Sequence, residues 1–355
     1  MKRVLAFPQL GDYQYPIGKF LKKVTHLEVI NTPPITRKTI ELGSKYAPDS
    51  VCVPFKYNLG NFIEALDLGA NTLLQAGGGC RYRYYAEVQE TILKDLGYDF
   101  ELIQIIGSDS LSFKEAFSIF KKLNPTLTRR EFLKEIIATL LYIYYLDSLD
   151  SKIRKVVGFE KQNGSFLKLK KRFISECNTA KGIFSLTKIY RNTVRRFKTI
   201  PIDKPKDCLK VGIIGELYTA MEPYSNYELE KNLASYHIEI KRFTNVSYLL
   251  WQKKFLGPYM KFRVRKYCKY TLGADGLDNV YRIGYLKRHK FDGVIHTKPT
   301  GCTPEIGAIP IMIKEAKDLH IPITFFSFDE QSGLDGIKTR LEAFYDMLEM
   351  RKKSA

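Results

Sequence analysis

Three cysteines stand in similar settings. Cys52, in "APDSVCVPFKYNLGNF", is followed by Val53 and Pro54, and Cys302, in "IHTKPTGCTPEIGAIPIM", by Thr303 and Pro304. Cys80 closes a glycine run in "LLQAGGGCRYRYYAEVQE". Each falls between an apolar run and a helical pattern. Proline suits the first helical turn, where its missing N–H costs nothing. A helix N-terminus carries partial positive charge and open N–H donors. A thiol there loses its proton more readily and tolerates an anionic ligand. Three thiolates from separate loops can hold a zinc ion or an iron–sulfur cluster with one position open. Gly77, Gly78 and Gly79 let the backbone approach a bulky group. The other three of the six cysteines, Cys177, Cys208 and Cys268, read as small buried apolar residues.

A second chemistry is nucleophilic catalysis by one cysteine with a histidine base. Of only five histidines, His296 lies close to Cys302 in sequence, although it also reads as a satisfied residue at a strand end. Nucleotide chemistry finds less support. "VGIIGELYTAMEPY" is a strand–turn segment without G-x-G-x-x-G, and no G-x-x-x-x-G-K-[ST] occurs. A dinucleotide or ATP site is therefore excluded as the main reading. Glu216, Tyr218 and Glu222 in that segment either line a cleft or are solvated.

The elements that position these residues alternate in type. Strands are expected at 3–7, 26–30, 72–77 and 100–105, with a further one ending in "SVCVPF". Helices are expected near 16–23, through "TRKTIELGSKY", and over 55–69 and 82–97. This alternation spells βαβ units and a parallel sheet. From about 109 to 200 apolar residues recur at helical spacing with no strand between them. "PIDKPKD" then reads as a linker. Strands return at 209–217, 238–244, 291–297 and 322–329, with helices through "YELEKNLASY", much of 246–288, 304–319 and the C-terminal "IKTRLEAFYDMLEMRKK". The expected organisation is an N-terminal α/β lobe (1–108) with Cys52 and Cys80, a basic helical segment (109–200), and a C-terminal α/β lobe (201–355) with Cys302. In an open parallel sheet ligands bind outside the carboxyl ends of the strands, which is where the alternation places all three cysteines.

Composition narrows the class. A chain of 355 residues is long for one core and suggests two domains. No apolar run is long enough to cross a bilayer. The first apolar stretch is broken by Pro8 and Gly11 and reads as a strand rather than a signal peptide, so the expected location is the cytoplasm, away from membranes. The formal charge of +19 favours anionic partners: nucleic acid, an acidic protein, or a phosphate-bearing cofactor. Much of the excess lies within 151–198, as a solvated helical face or a contact surface.

The pieces "ELGSKYAPDSVCVPFKYNLGNFIEAL", "GGGCRYRYYAEVQETILKDLGY", "VGIIGELYTAMEPYSN", "FDGVIHTKPTGCTPEIGAIPIM" and "FFSFDEQSGLDGIKTRLEAFYDML" together carry a resemblance. In them the chain resembles the 2-hydroxyacyl-CoA dehydratase superfamily, in particular its branch of CoA-protein activases, or dehydratase-activator-related proteins. The resemblance implies two Rossmann- or flavodoxin-like lobes facing a cleft. It also implies an oxygen-sensitive iron–sulfur cluster with Cys52, Cys80 and Cys302 as ligands. Lys56, Gly78, Gly79, Glu216 and Tyr218 are the candidate cofactor-contacting residues, Lys56 as a charge compensator. In such dehydratases the cluster supports one-electron reduction of a 2-hydroxyacyl-CoA, the electron coming from a separate ATP-hydrolysing activator. Expected partners are therefore an activator or other redox protein and an acyl-CoA, and dimers are common among relatives.

The chain also departs from the family. Relatives often carry a run like G-C-G-P-C-R-F-G-Y-Y-C, where this chain has "AGGGCRYRYYAE" with Cys80 alone, which favours a single [4Fe–4S] cluster over a double cubane. Asp275 stands where a family histidine is expected. Two readings from other classes remain beside this one: a non-catalytic binding or scaffold protein using its basic helical segment on nucleic acid or a partner subunit, and a zinc protein.

Overall fold

Short apolar strands between amphipathic helices can bury both faces only in a helix-covered parallel sheet, and two such sheets form. The structure, a computed structural model, describes residues 2–77, 84–105 and 112–354. The chain divides into two units, Met1–Tyr142 and Ile143–Ala355.

The first unit runs β1 (Val4–Ala6), α1 (Gln14–Thr25), β2 (Glu28–Val29), α2 (Arg37–Tyr46), α3 (Val53–Asp67), β3 (Thr72–Gln75), α4 (Tyr85–Asp95), β4 (Glu101–Gln104) and α5 (Phe113–Leu123), and enters α6 (Arg129–Arg154). Its sheet has the order β2-β1-β3-β4, all parallel. Successive strand residues point to opposite faces, and both faces are covered. Leu5 and Leu74 join Leu21, Val24, Phe120 and Phe132 on one side. Ala6 and Leu73 join Phe55, Phe62 and Leu93 on the other. Helices α2 and α5 open on capping boxes, Thr36 with Thr39 and Ser112 with Glu115.

The strand expected to end in "SVCVPF" does not form. Residues 47–52 connect α2 directly to α3. Pro48 and Asp49 open a turn, Val51 and Cys52 pack against the Phe55–Phe62 cluster, and Pro54 starts the helix at once. A strand there would need a ladder partner, whereas Val53 and Phe55 bury their apolar surface as part of α3.

The second unit holds the rest of α6, then α7 (Ser165–Thr179), α8 (Ile183–Thr199), β5 (Lys210–Gly215), α9 (Leu217–Met221), α10 (Leu229–Ser235) and β6 (Glu239–Arg242). It continues with α11 (Lys253–Val264), α12 (Gly276–Arg288), β7 (Gly293–Pro299), α13 (Thr303–Asp318), β8 (Ile323–Phe328) and α14 (Leu334–Lys353). The sheet order is β6-β5-β7-β8, again all parallel. The units thus repeat one topology, that of Rossmann- or flavodoxin-like lobes. In each, the order reverses beside the first strand, so the crevice between β1 and β3, or between β5 and β7, is the switch point where such sheets bind ligands. The helical run expected over 109–200 comprises α5 to α8; α5 contributes to the first unit's core, and the unit boundary falls within α6. Among the described residues no helix is long and apolar enough to cross a membrane.

Candidate functional site

Cys302 is the N-cap of α13, with Pro304 in the first turn. It is half-buried and sits one short turn beyond β7, at the carboxyl edge of the second sheet. Its N–H donates to the Pro299 carbonyl at 3.2 Å. Lys298, at the end of β7, tucks under the same turn: its Nζ lies 3.5 Å from the Pro299 oxygen and 3.3 Å from that of Thr300. Only 6% of Lys298 is exposed, so an ammonium is buried beside the cysteine. Burial holds its pKa below the usual lysine range, against the opposing pull of Cys302 and Glu305. The turn is pinned to the neighbouring strand end, with the Thr300 N–H donating to Phe328 and its hydroxyl to Asp329.

Behind that turn lies a buried polar array. Glu305, in the first turn of α13, is fully enclosed. It accepts from Asn279 Nδ2 at 3.0 and 2.9 Å and pairs with His296 Nε2 at 2.6 Å. The Asn279 carbonyl oxygen accepts from the Gly215 N–H at the end of β5 and from Arg282, and Arg282 also donates to Thr244. The array ties β5, β7, α12 and α13 together at the switch point. His296 Nδ1 and Arg282 Nη2 find no hydrogen-bond partner among the described residues. His296 is thus paired with a carboxylate inside the strand layer, as part of the frame that seats the first turn of α13.

Cys52 is likewise an N-cap, of α3, with Pro54 in the first turn. Because α3 must run back to the amino end of β3, its N-terminus falls at the carboxyl edge of the first sheet even without a preceding strand. Side chains confirm the placement: Gln75, the last residue of β3, donates to Gln89 of α4, which donates to the Phe55 carbonyl. The Cys52 sulfur lies 2.8 Å from the Tyr85 hydroxyl at the start of α4. Lys56, one turn into α3, is buried with 2% exposed rather than solvated. Gly78, Gly79 and Cys80 lie outside the described residues.

Glu216 and Tyr218 follow β5 at the other lip of the second crevice, and both are buried. The Glu216 carboxylate caps α9, accepting from the Tyr218 and Thr219 N–H groups at 3.0 and 2.9 Å and from the Thr219 hydroxyl at 2.9 Å. Glu222 is buried as well. Asp275 is buried and paired with Lys253 at 2.8 Å. Cys177, Cys208 and Cys268 are buried. Sequence reasoning passed over Lys298, Glu305, Asn279 and Arg282. A sign was present, since histidine and lysine two apart in a buried central strand share one face and need partners.

Taken one by one, Cys52 and Cys302 have the chemistry of iron–sulfur ligands: each is a half-buried cysteine at the start of a long helix, and a buried lysine lies beside Cys302. Among the described residues no three His, Cys, Asp or Glu side chains converge as a metal site.

Fold and site together define a protein of two parallel α/β units with a thiol at a topological switch point. A family model described as 2-hydroxyglutaryl-CoA dehydratase, D-component, matches residues 271–348. That stretch contains α12, β7, Cys302, α13, β8 and most of α14, and it relates the second unit to the 2-hydroxyacyl-CoA dehydratases. A search of curated proteins finds none that matches this chain.

Proposed function

We propose that this chain is an iron–sulfur protein of the 2-hydroxyacyl-CoA dehydratase superfamily, in its activator-related branch, with Cys52, Cys80 and Cys302 as cluster ligands. It serves low-potential electron transfer, or reductive or dehydration chemistry on a small acyl-CoA-like substrate, in the cytoplasm. The observation that carries this reading is the placement of Cys302. It is a half-buried thiol capping a long helix at a switch point, beside a buried lysine, within the stretch matched by the dehydratase family. Cys52, Cys80 and Cys302 would hold a [4Fe–4S] cluster, which would supply one-electron chemistry and an iron site for a substrate oxygen. The chain's own part is to seat the thiolates: the Glu305–Asn279–His296 array fixes the turn carrying Cys302, and Lys298 offsets negative charge there.

The test is an ultraviolet–visible spectrum with iron and sulfide analysis on protein purified without oxygen, beside Cys52→Ala, Cys80→Ala and Cys302→Ala. The expected result is a brown protein with about four irons per chain, bleached by each substitution. A colourless wild type that resists reconstitution and ignores all three substitutions would overturn the reading; zinc in place of iron would make this a zinc protein.

A second reading has one observation in its favour. The α7–α8 pair exposes Lys168, Lys171, Lys188, Arg191, Arg195 and Lys198, while Glu176 is already neutralised by Arg172 and Arg196. Steeply salt-dependent binding of nucleic acid, lost on reversing those charges, would support a scaffold role.

A further inference from the structure

Helix α11 is apolar on two opposite faces. Met260 and Val264, four residues apart, are buried against the second unit. Phe255, Tyr259 and Phe262, spaced by four and three, form a ridge on the far side, exposed by 78%, 50% and 57%. The inner face alone is what a surface helix needs to bury, and a second row of large aromatics left in water marks a contact surface. The surrounding charge says by what. Residues 250–270 hold seven lysines and arginines and no aspartate or glutamate, and Lys254, Lys261 and Arg265 are exposed. A second copy of this chain is a poor occupant, because the patch offers like charge to itself and the whole chain carries +19.

The ridge also has an address. At its amino end the Lys253 ammonium bonds the Ala274 carbonyl and the Asp275 and Asp278 carboxylates, at 2.7, 2.8 and 2.9 Å. The first turn of α12 rests on α13: a Cβ at Gly276 would sit 2.9 Å from the Pro304 carbonyl. Pro304 is two residues from Cys302. The helix that carries this aromatic, cation-ringed ridge is therefore linked, through the first turn of α12, to the helix start that carries the proposed cluster ligand. Aromatic and arginine side chains dominate protein contact cores, and electron-transfer contacts are small, transient and charge-steered.

Building on the function proposed above, we propose that the outer face of α11 docks a small acidic one-electron carrier protein. One electron leaves the reduced carrier and enters the centre at Cys302; the carrier is oxidised by one electron, the centre is reduced by one, and no covalent bond changes.

Stopped-flow bleaching of the holoprotein tests this with two reductants, dithionite and reduced flavodoxin, the latter as the acidic carrier. Two variants are compared with wild type: the triple charge reversal Lys254→Glu/Lys261→Glu/Arg265→Glu and the double truncation Phe255→Ala/Phe262→Ala. The expected result is flavodoxin reduction slowed about tenfold or more by charge reversal, with its salt dependence flattened, and dithionite reduction unchanged. Unaltered flavodoxin rates in both variants would overturn the docking surface. Calorimetric binding of flavodoxin is measured in parallel, because it reads the surface whether or not a cluster is present. A colourless chain that binds flavodoxin and loses it on charge reversal would sink the cluster and keep the docking surface. Co-sedimentation with phosphatidylglycerol vesicles, or retention of poly-uridine, lost in the variants while flavodoxin binding and rates stay constant, would reassign α11 to a bilayer or to nucleic acid.

Discussion

Glu305 organises the buried end of α13, since its two oxygens bond Asn279 and His296 directly. Glu305→Ala strands two buried polar side chains, at about 1–3 kcal/mol each. We expect a urea midpoint lowered accordingly, with Glu305→Gln milder because it keeps one acceptor oxygen. Glu315, on the same helix, behaves differently. It is 5% exposed, one oxygen finds no hydrogen-bond partner among the described residues, and burial pushes its pKa up to about 7, with Arg288 pulling it down and Asp318 pushing it further up. A carboxyl whose folded pKa is raised favours the fold in its neutral form. Its contribution is therefore complete below the ordinary value of 4.5 and declines as pH rises from there to about 7. Thermal melts of wild type against Glu315→Gln should diverge across that window, wild type losing on the order of 3 kcal/mol relative to the variant. Parallel curves would remove Glu315 from the account.

Helix pairing in the first unit rests on two glycines. A Cβ at Gly43 would meet the Lys56 carbonyl at 1.8 Å, and one at Gly60 the Thr39 carbonyl at 2.0 Å. Backbone cannot yield as a flexible side chain can, so Gly60→Ala should separate α2 from α3 and cost about 1–3 kcal/mol or more, read by chemical denaturation. Gly307, inside α13, meets nothing within 4 Å. Gly307→Ala should instead stabilise by about 0.5–1 kcal/mol, the helix preference of alanine. The contrast between the two measures contact rather than composition. Because α3 carries Cys52 and buried Lys56, loosening α2 should also disturb the Cys52 thiol.

For the whole molecule, the second unit depends on a partly buried charge network that reaches from α6 to α7, α10 and β6. Arg154 bonds Glu230 at 2.7 Å and Asp150 at 3.4 Å, Arg242 bonds Glu230 at 2.7 Å, and Lys170 bonds Asp150 at 2.8 Å. Burial pushes both carboxyls up, but the surrounding cations outweigh it and hold Asp150 and Glu230 below the usual carboxylate range. For groups lowered in the fold, the stabilisation is present above their ordinary pKa and is lost as pH falls from there through the lowered folded value. The second unit should therefore lose stability below about pH 4.5, the opposite slope to that of Glu315. Glu230→Gln leaves two arginines without their shared carboxylate, and with the Glu230 side chain still 29% exposed it should cost about 1–3 kcal/mol. Calorimetry should show the loss in the transition of the second unit, with the first unit's transition in place.

Much of this architecture was written locally. Alternating apolar runs and helical periods named both sheets, because strand and helix periodicity is a property of neighbouring residues. Cys-x-Pro marked two helix starts for the same reason, since proline presets the first turn. The missing strand at "SVCVPF" shows the limit: an apolar run satisfies a strand or a buried helix start equally, and the turn at Pro48–Asp49 with packing against Phe55 chose the latter. Long-range contacts settled the rest. They drew Lys56 inside and joined His296 of β7, Glu305 of α13 and Asn279 of α12 into one array. The cap at Glu216 and the turn around Lys298 use groups only one to three residues away, but their burial comes from the strands and helices packed around them. Spacing does not show that burial, and burial without a partner is what a polar side chain can least tolerate.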